Sequence, residues 1–127
     1  MTTQGNSAIY NMTYPNKVFQ DQNGVCPVKS ASNSFAIGNN QTLINGVTSK
    51  ILRVLGILVL SDAGSVNFKN GSGGTALMFG AITTVNPILF LPLHEIGYFE
   101  TTAETGLFVD VVGGTANITV QYVEYQL

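Results

Sequence analysis

The chain's whole stock of imidazole and thiol is one histidine, His94, and one cysteine, Cys26. A thiol nucleophile needs a base within hydrogen-bond reach and a third group that orients the base. The two residues stand 68 positions apart with no nucleophile-elbow motif around either. Cys26 reads more simply as a small apolar filler beside Pro27, and His94 as a turn residue after Pro92. Three carboxylates, Glu95, Glu100 and Glu104, fall within the stretch His94–Thr105. Carboxylates in one loop can gather a hard cation or act as an acid and base pair on a sugar. The Asp/Asn-Gly pattern of a dedicated calcium loop is missing, and the plain reading is solvated carboxylates that pair with Arg53 or with a lysine of another subunit. Gly71-Ser72-Gly73-Gly74 resembles a phosphate cradle only in composition. A cradle needs a strand before it, a helix after it and a placed lysine, whereas here a strand pattern follows and a hairpin loop is expected. Tyr10, Tyr14, Tyr98, Tyr122 and Tyr125 could stack on sugars or anchor an interface, and the residue types do not choose between these. No catalytic set, metal site or cofactor site emerges, and the chain is expected not to be an enzyme. A cupin-like metal site, for one, wants several histidines.

The elements that must hold these residues are strands. Lys50–Leu60 is apolar along both faces, Ile51, Arg53, Leu55, Ile57 and Val59 on one and Leu52, Val54, Gly56, Leu58 and Leu60 on the other. A strand covered on both sides reads this way. Asn45-Gly46 and Ser61-Asp62-Ala63-Gly64 are turn signals on either side of it. Further strands are predicted at 25–29, 34–37, 42–44, 65–69, 75–85, 88–93, 106–112 and 116–125. In the last, Ile118, Val120 and Tyr122 point inward, while Val123 and Tyr125 share an outer face with Thr119 and Gln121. Residues 1–24 show no steady period but carry aromatics that want burial, which predicts an extended arm ordered on its own domain or on a neighbour. The expected architecture is all-β: an antiparallel β-sandwich or jelly roll of about eight strands over residues 25–127, with the N-terminal arm over 1–24.

The totals favour a partner. The 127 residues fit one domain and are 45% hydrophobic but only 9% charged, against about 25% in ordinary soluble proteins. Such a surface is cheap to desolvate, because few ions lose water on docking. Five basic residues against seven acidic ones form no basic stripe, so nucleic acid is not an expected partner. The run 51–60 is too short to span a bilayer as a helix and contains Arg53; no membrane partner is expected. The polar start without an apolar leader core and the lone cysteine predict synthesis in a cytoplasm.

A resemblance begins at Ser49. Lys50-Ile-Leu-Arg-Val-Leu-Gly56, Gly74-Thr-Ala-Leu77, Leu91-Pro-Leu93, Ile96-Gly-Tyr-Phe-Glu-Thr101, Leu107, Gly114-Thr-Ala116 and Val120–Glu124 are together similar to a group of small tailed-phage virion proteins of the head decoration or cement type. The resemblance implies a jelly-roll-like β-sandwich, often a trimer, bound to the capsid surface through the major capsid protein and without catalytic residues. The expected function is therefore a virion structural protein that binds the capsid lattice and its own copies as a homotrimer. The alternative is the receptor- or glycan-binding head of a phage tail fibre or spike. Candidate interface residues are Tyr10, Tyr14 and Phe19 of the arm, the ionic pair candidates Arg53 and Glu100, and the apolar Leu58, Leu60, Val123 and Tyr125.

Overall fold

A computed structural model describes residues 9–11, 18–62, 64–77, 82–83 and 88–126. Among these there is no helix. The strands are β1 (Ile9–Asn11), β2 (Val18–Asp21), β3 (Gly24–Val25), β4 (Lys29–Phe35), β5 (Gly38–Ile44), β6 (Lys50–Ser61), β7 (Ser65–Asn70), β8 (Ile82–Thr83), β9 (Ile88–Leu91), β10 (Phe99–Glu100), β11 (Leu107–Val112) and β12 (Ala116–Gln126). They form three antiparallel sheets. The first is β1-β2-β3, the second runs β10-β6-β12-β4 with β9 also on β6, and the third runs β5-β11-β7-β8. The all-β class is as the sequence predicts, but the described strands number twelve instead of about eight. The extra ones are short pieces of two to four residues, which local alternation cannot signal. Most of the segment predicted as one strand over 75–85 lies outside the described residues, which hold only β8 and an isolated bridge between Lys69 and Ala76.

The long strands carry the core. Leu52, Val54, Ile57 and Val59 of β6 and Ile118, Val120 and Tyr122 of β12 face Val66 and Phe68 of β7 and Leu107, Val109 and Val111 of β11 in one buried cluster. β-branched residues suit this pleated, two-sided burial. Phe68 and Phe99 meet within it with ring centroids 5.7 Å apart.

The predicted faces of β6 hold only in part, because the strand is bulged. Gln121 of β12 lies opposite Gly56, and the next residue, Tyr122, lies opposite Val54, so Leu55 is an extra residue in the ladder. An extra residue swaps the sides of everything beyond it. Leu52 and Val54 therefore point inward with Ile57 and Val59, while Ile51, Leu55, Leu58 and Leu60 lie on the outside of the second sheet.

Two turns are tied together at one end. The Asp62 carboxylate accepts the Thr115 backbone N–H at 2.7 Å and its hydroxyl at 3.1 Å. Gly64 and Gly113, both at positive φ, approach each other there.

Candidate interaction face

The outer face of the second sheet divides into a covered half and an open half. The covered half belongs to the lower part of β6 and the end of β12. There Ile51, Leu55, Val123 and Tyr125 form a second buried cluster with Cys26, against which Phe19 packs. The Phe19 and Tyr125 rings lie 5.1 Å apart. Residues 18–26 are thus a strap laid over the sheet by their own chain. The arm boundary expected after residue 24 falls inside β3, whose Val25 pairs with Gln20 of β2. The strap is clasped by Asp21, a buried carboxylate that accepts the Asn23 N–H at 2.8 Å and the Gln126 N–H at 2.7 Å. Burial, then the neighbouring Asp21 carboxylate, pushes the Cys26 thiol up to about 11.

Val123 and Tyr125, expected as interface residues, are buried within their own chain, beneath the strap. Their outward direction is as predicted, and what covers them is the strap. Arg53 and Glu100 do pair, on adjacent strands, with Nη1 3.1 Å from Oε2. Arg53 Nε also donates to the Ile96 carbonyl, and the Tyr125 hydroxyl donates to Glu100 Oε2. Burial first, and then this carboxylate, raise the Tyr125 phenol above its ordinary value. The pair therefore acts inside the chain, fastening β10 and the loop before it to β6 and β12. Tyr10 lies on β1, with its side chain outside the description, and Tyr14 is outside the described residues.

The open half lies above the bulge. Leu58 and Leu60 of β6 stand opposite Phe90 and Ile88 of β9. Ile88 and Phe90 are each 63% exposed, Leu93 is 56% exposed and Leu60 is 41% exposed. β9 alternates, with Leu89 and Leu91 packed on the core while Ile88 and Phe90 face out. Gly56, Leu58, Phe90, Thr119 and Gln121 line a groove of about 190 Å³. Leu60, Asp62, Ile88, Thr115 and Asn117 line a second hollow of about 350 Å³. Gly56 makes the floor possible, because a Cβ there would stand 3.0 Å from the Gln121 side-chain oxygen and 3.3 Å from the Leu93 backbone. No ion lines the first groove, and Asp62, at the edge of the second, is engaged by Thr115.

Of the predicted site residues, the structure gathers Leu58 and Leu60 into this open half. Ile88, Phe90 and Leu93 were missed as interface candidates. Their signal was present, since a short strand bracketed by Pro87 and Pro92 whose alternate residues are all large and apolar must expose one set unless both faces are covered. The candidates for chemistry do not assemble. Glu104 accepts the Ser49 N–H at 2.8 Å, Glu100 is held by Arg53 and Tyr125, and His94 accepts the Ile96 N–H at 3.2 Å in an exposed turn. Among the described residues, no group of three His, Cys, Asp or Glu side chains is placed to hold a metal, and no helix is long and apolar enough to cross a membrane. No family model, curated protein or solved structure matches the chain.

Proposed function

We propose that this chain is a structural protein that works by binding other polypeptides, and specifically a capsid decoration or cement protein of a tailed-phage virion. The observation that carries the binding role is the open half of the outer sheet face. Large apolar side chains stand in water there, no ion lines the first groove, and the largest exposed apolar patch of a chain is often its contact site. The charge pattern agrees. Lys29 pairs with Glu124 at 2.8 Å, Arg53 with Glu100 at 3.1 Å and Lys69 with Asp110 at 3.4 Å. Ions that are already neutralised within the chain leave the contact to apolar and neutral polar groups. The virion assignment rests on the sequence resemblance, and the two larger sheets sharing one core suit the β-sandwich that it implies. The partners on this reading are the major capsid protein and further copies of the chain, on the capsid surface.

Electron microscopy of virions labelled with an antibody against this chain tests the reading. Label spread over the heads is the expected result. Label confined to the tail tips would transfer the chain to the receptor-binding alternative, and unlabelled particles would end the virion assignment. A sugar platform has little support at Tyr98, whose hydroxyl is spent on the Pro92 carbonyl at 2.7 Å and whose ring neighbours His94 at 6.0 Å.

A further inference from the structure

We infer that the open half of the outer face is the self-association surface, and that its occupant is the same half of a second copy of this chain. The inference rests on the protein-binding role proposed above and names the partner at that site. Three observations select a second copy.

The first is charge. The first groove is lined by Gly56, Leu58, Phe90, Thr119 and Gln121 without a single ion. A partner that brings a charge here would have to strip its water without compensation. The complement must be equally uncharged and apolar, and this chain itself presents such a surface.

The second is the chemistry of the rim. One side of the trough is the row Asn117, Thr119 and Gln121 of β12, and the other is Ile88 and Phe90 of β9. Amide and hydroxyl side chains each carry both donors and acceptors. Asn117 Oδ1 already accepts from the Ser34 hydroxyl and Thr119 Oγ1 pairs with Ser32 Oγ at 2.7 Å, which leaves the Asn117 and Gln121 amide groups to hydrogen-bond to another copy across a two-fold axis. A row of lysines or glutamates would repel its copy. A two-fold contact requires a patch that is complementary to itself, and an uncharged amide row allows one.

The third is area. Leu58, Leu60, Ile88, Phe90 and Leu93 at their exposures present on the order of 400 Å² of apolar surface. With the polar row added on both sides, two copies would bury at most about 1,200 Å², the lower bound for a specific interface. The trough between the two rows also gives Phe90 of one copy a place to insert in the next, at the centre of the patch where aromatic anchors contribute most.

The test compares the purified full-length chain with Phe90→Lys and Ile88→Lys by light scattering after size exclusion at micromolar concentration. Both side chains are exposed, so each variant keeps its core, and thermal unfolding checks that it does. The unsubstituted chain should run at twice the single-chain mass of 13.5 kDa, and both lysine variants at the single-chain mass. Ile37→Lys, at an exposed apolar residue of the connection between β4 and β5, should leave the assembled mass unchanged. A single-chain mass for the unsubstituted protein overturns the inference, as does an assembled mass that survives both lysines. Binding to virion heads is read separately. Head binding retained by a monomeric unsubstituted chain would sink the self-association surface and spare the decoration role. Assembly without head binding would do the reverse.

Discussion

At the scale of single residues, two buried protons make the fold sensitive to alkali. The Cys26 thiol is pushed from 9.0 to about 11, first by burial and then by Asp21. The Tyr125 phenol is raised by burial and by the Glu100 carboxylate that accepts its hydrogen bond. Both groups hold their protons in the native state at a pH where the unfolded chain has released them. The unfolded state then binds fewer protons, so stability falls as pH rises. For the thiol the loss begins near its ordinary value of 9.0 and is complete once pH passes about 11. The melting temperature is expected to decline across that window, and Cys26→Ala should flatten part of the decline. A profile as steep in the variant as in the parent would remove the thiol from the account. Tyr125→Phe addresses the other proton. It leaves the ring on Phe19 but withdraws the donor from Glu100, at a cost of about 1–2 kcal/mol in urea unfolding. Glu100 keeps Arg53, so no larger loss is expected.

At the scale of elements, the tightest constraint is the paired turns. Gly64 has φ 81°, and a Cβ there would stand 1.7 Å from the Val112 carbonyl oxygen and 2.9 Å from Gly113. Gly64→Ala must therefore push apart the β6–β7 and β11–β12 connections, in addition to straining its own backbone. A loss of more than about 2 kcal/mol is expected. An unchanged denaturation midpoint would mean that the turns are not packed as described. This turn was legible, since Asp62-Ala63-Gly64 after a long apolar run is a local signal. The long strands β6, β11 and β12 were legible for the same reason, and so was the inward set Ile118, Val120 and Tyr122. The bulge at Leu55 was not. Both faces of β6 are apolar, so alternation alone could not show the side on which Ile57 or Leu58 would fall. β10 was hidden for a different reason. Its residues look like loop, and the strand exists because Phe99 enters the core while Glu100 meets Arg53 across the ladder. The outward direction of Val123 and Tyr125 could be read from the sequence, but their cover could not, because residues 18–26 have no period of their own. Ile88 and Phe90 stayed unnamed because an apolar run between two prolines shows that a strand is apolar and leaves open which of its sides is bare.

At the scale of the whole molecule, the outer face of the second sheet is handled in two ways, and the strap is the difference. Below the bulge the chain covers its own apolar side chains, and above it they are left in water. The Asn23 side-chain amide fastens the cover to Gln126 Oε1. Cys26 and Phe19 supply the apolar contact, and Asp21 supplies acceptors for the Gln126 and Asn23 N–H groups. Asp21→Ala removes both acceptors at once. The Gln126 N–H is half-buried beneath the strap, so the change should cost about 1–3 kcal/mol. The loss should be local, because the cluster under the strap is separate from the main core. Hydrogen exchange can separate a local from a global effect. Amides of 18–26 and 122–126 should exchange faster, while those of β7 and β11 keep their protection relative to the new global stability. Uncovering Ile51, Leu55, Val123 and Tyr125 would also join them to Leu58, Leu60, Ile88 and Phe90 in one apolar surface. Binding of a hydrophobic dye should rise in Asp21→Ala, and the oligomer should grow or lose its fixed size, since the strap no longer limits the face that copies can share. Uniform loss of protection throughout β7, β11 and the strap would instead make the strap part of a single cooperative core. The division of the face would then have no energetic meaning.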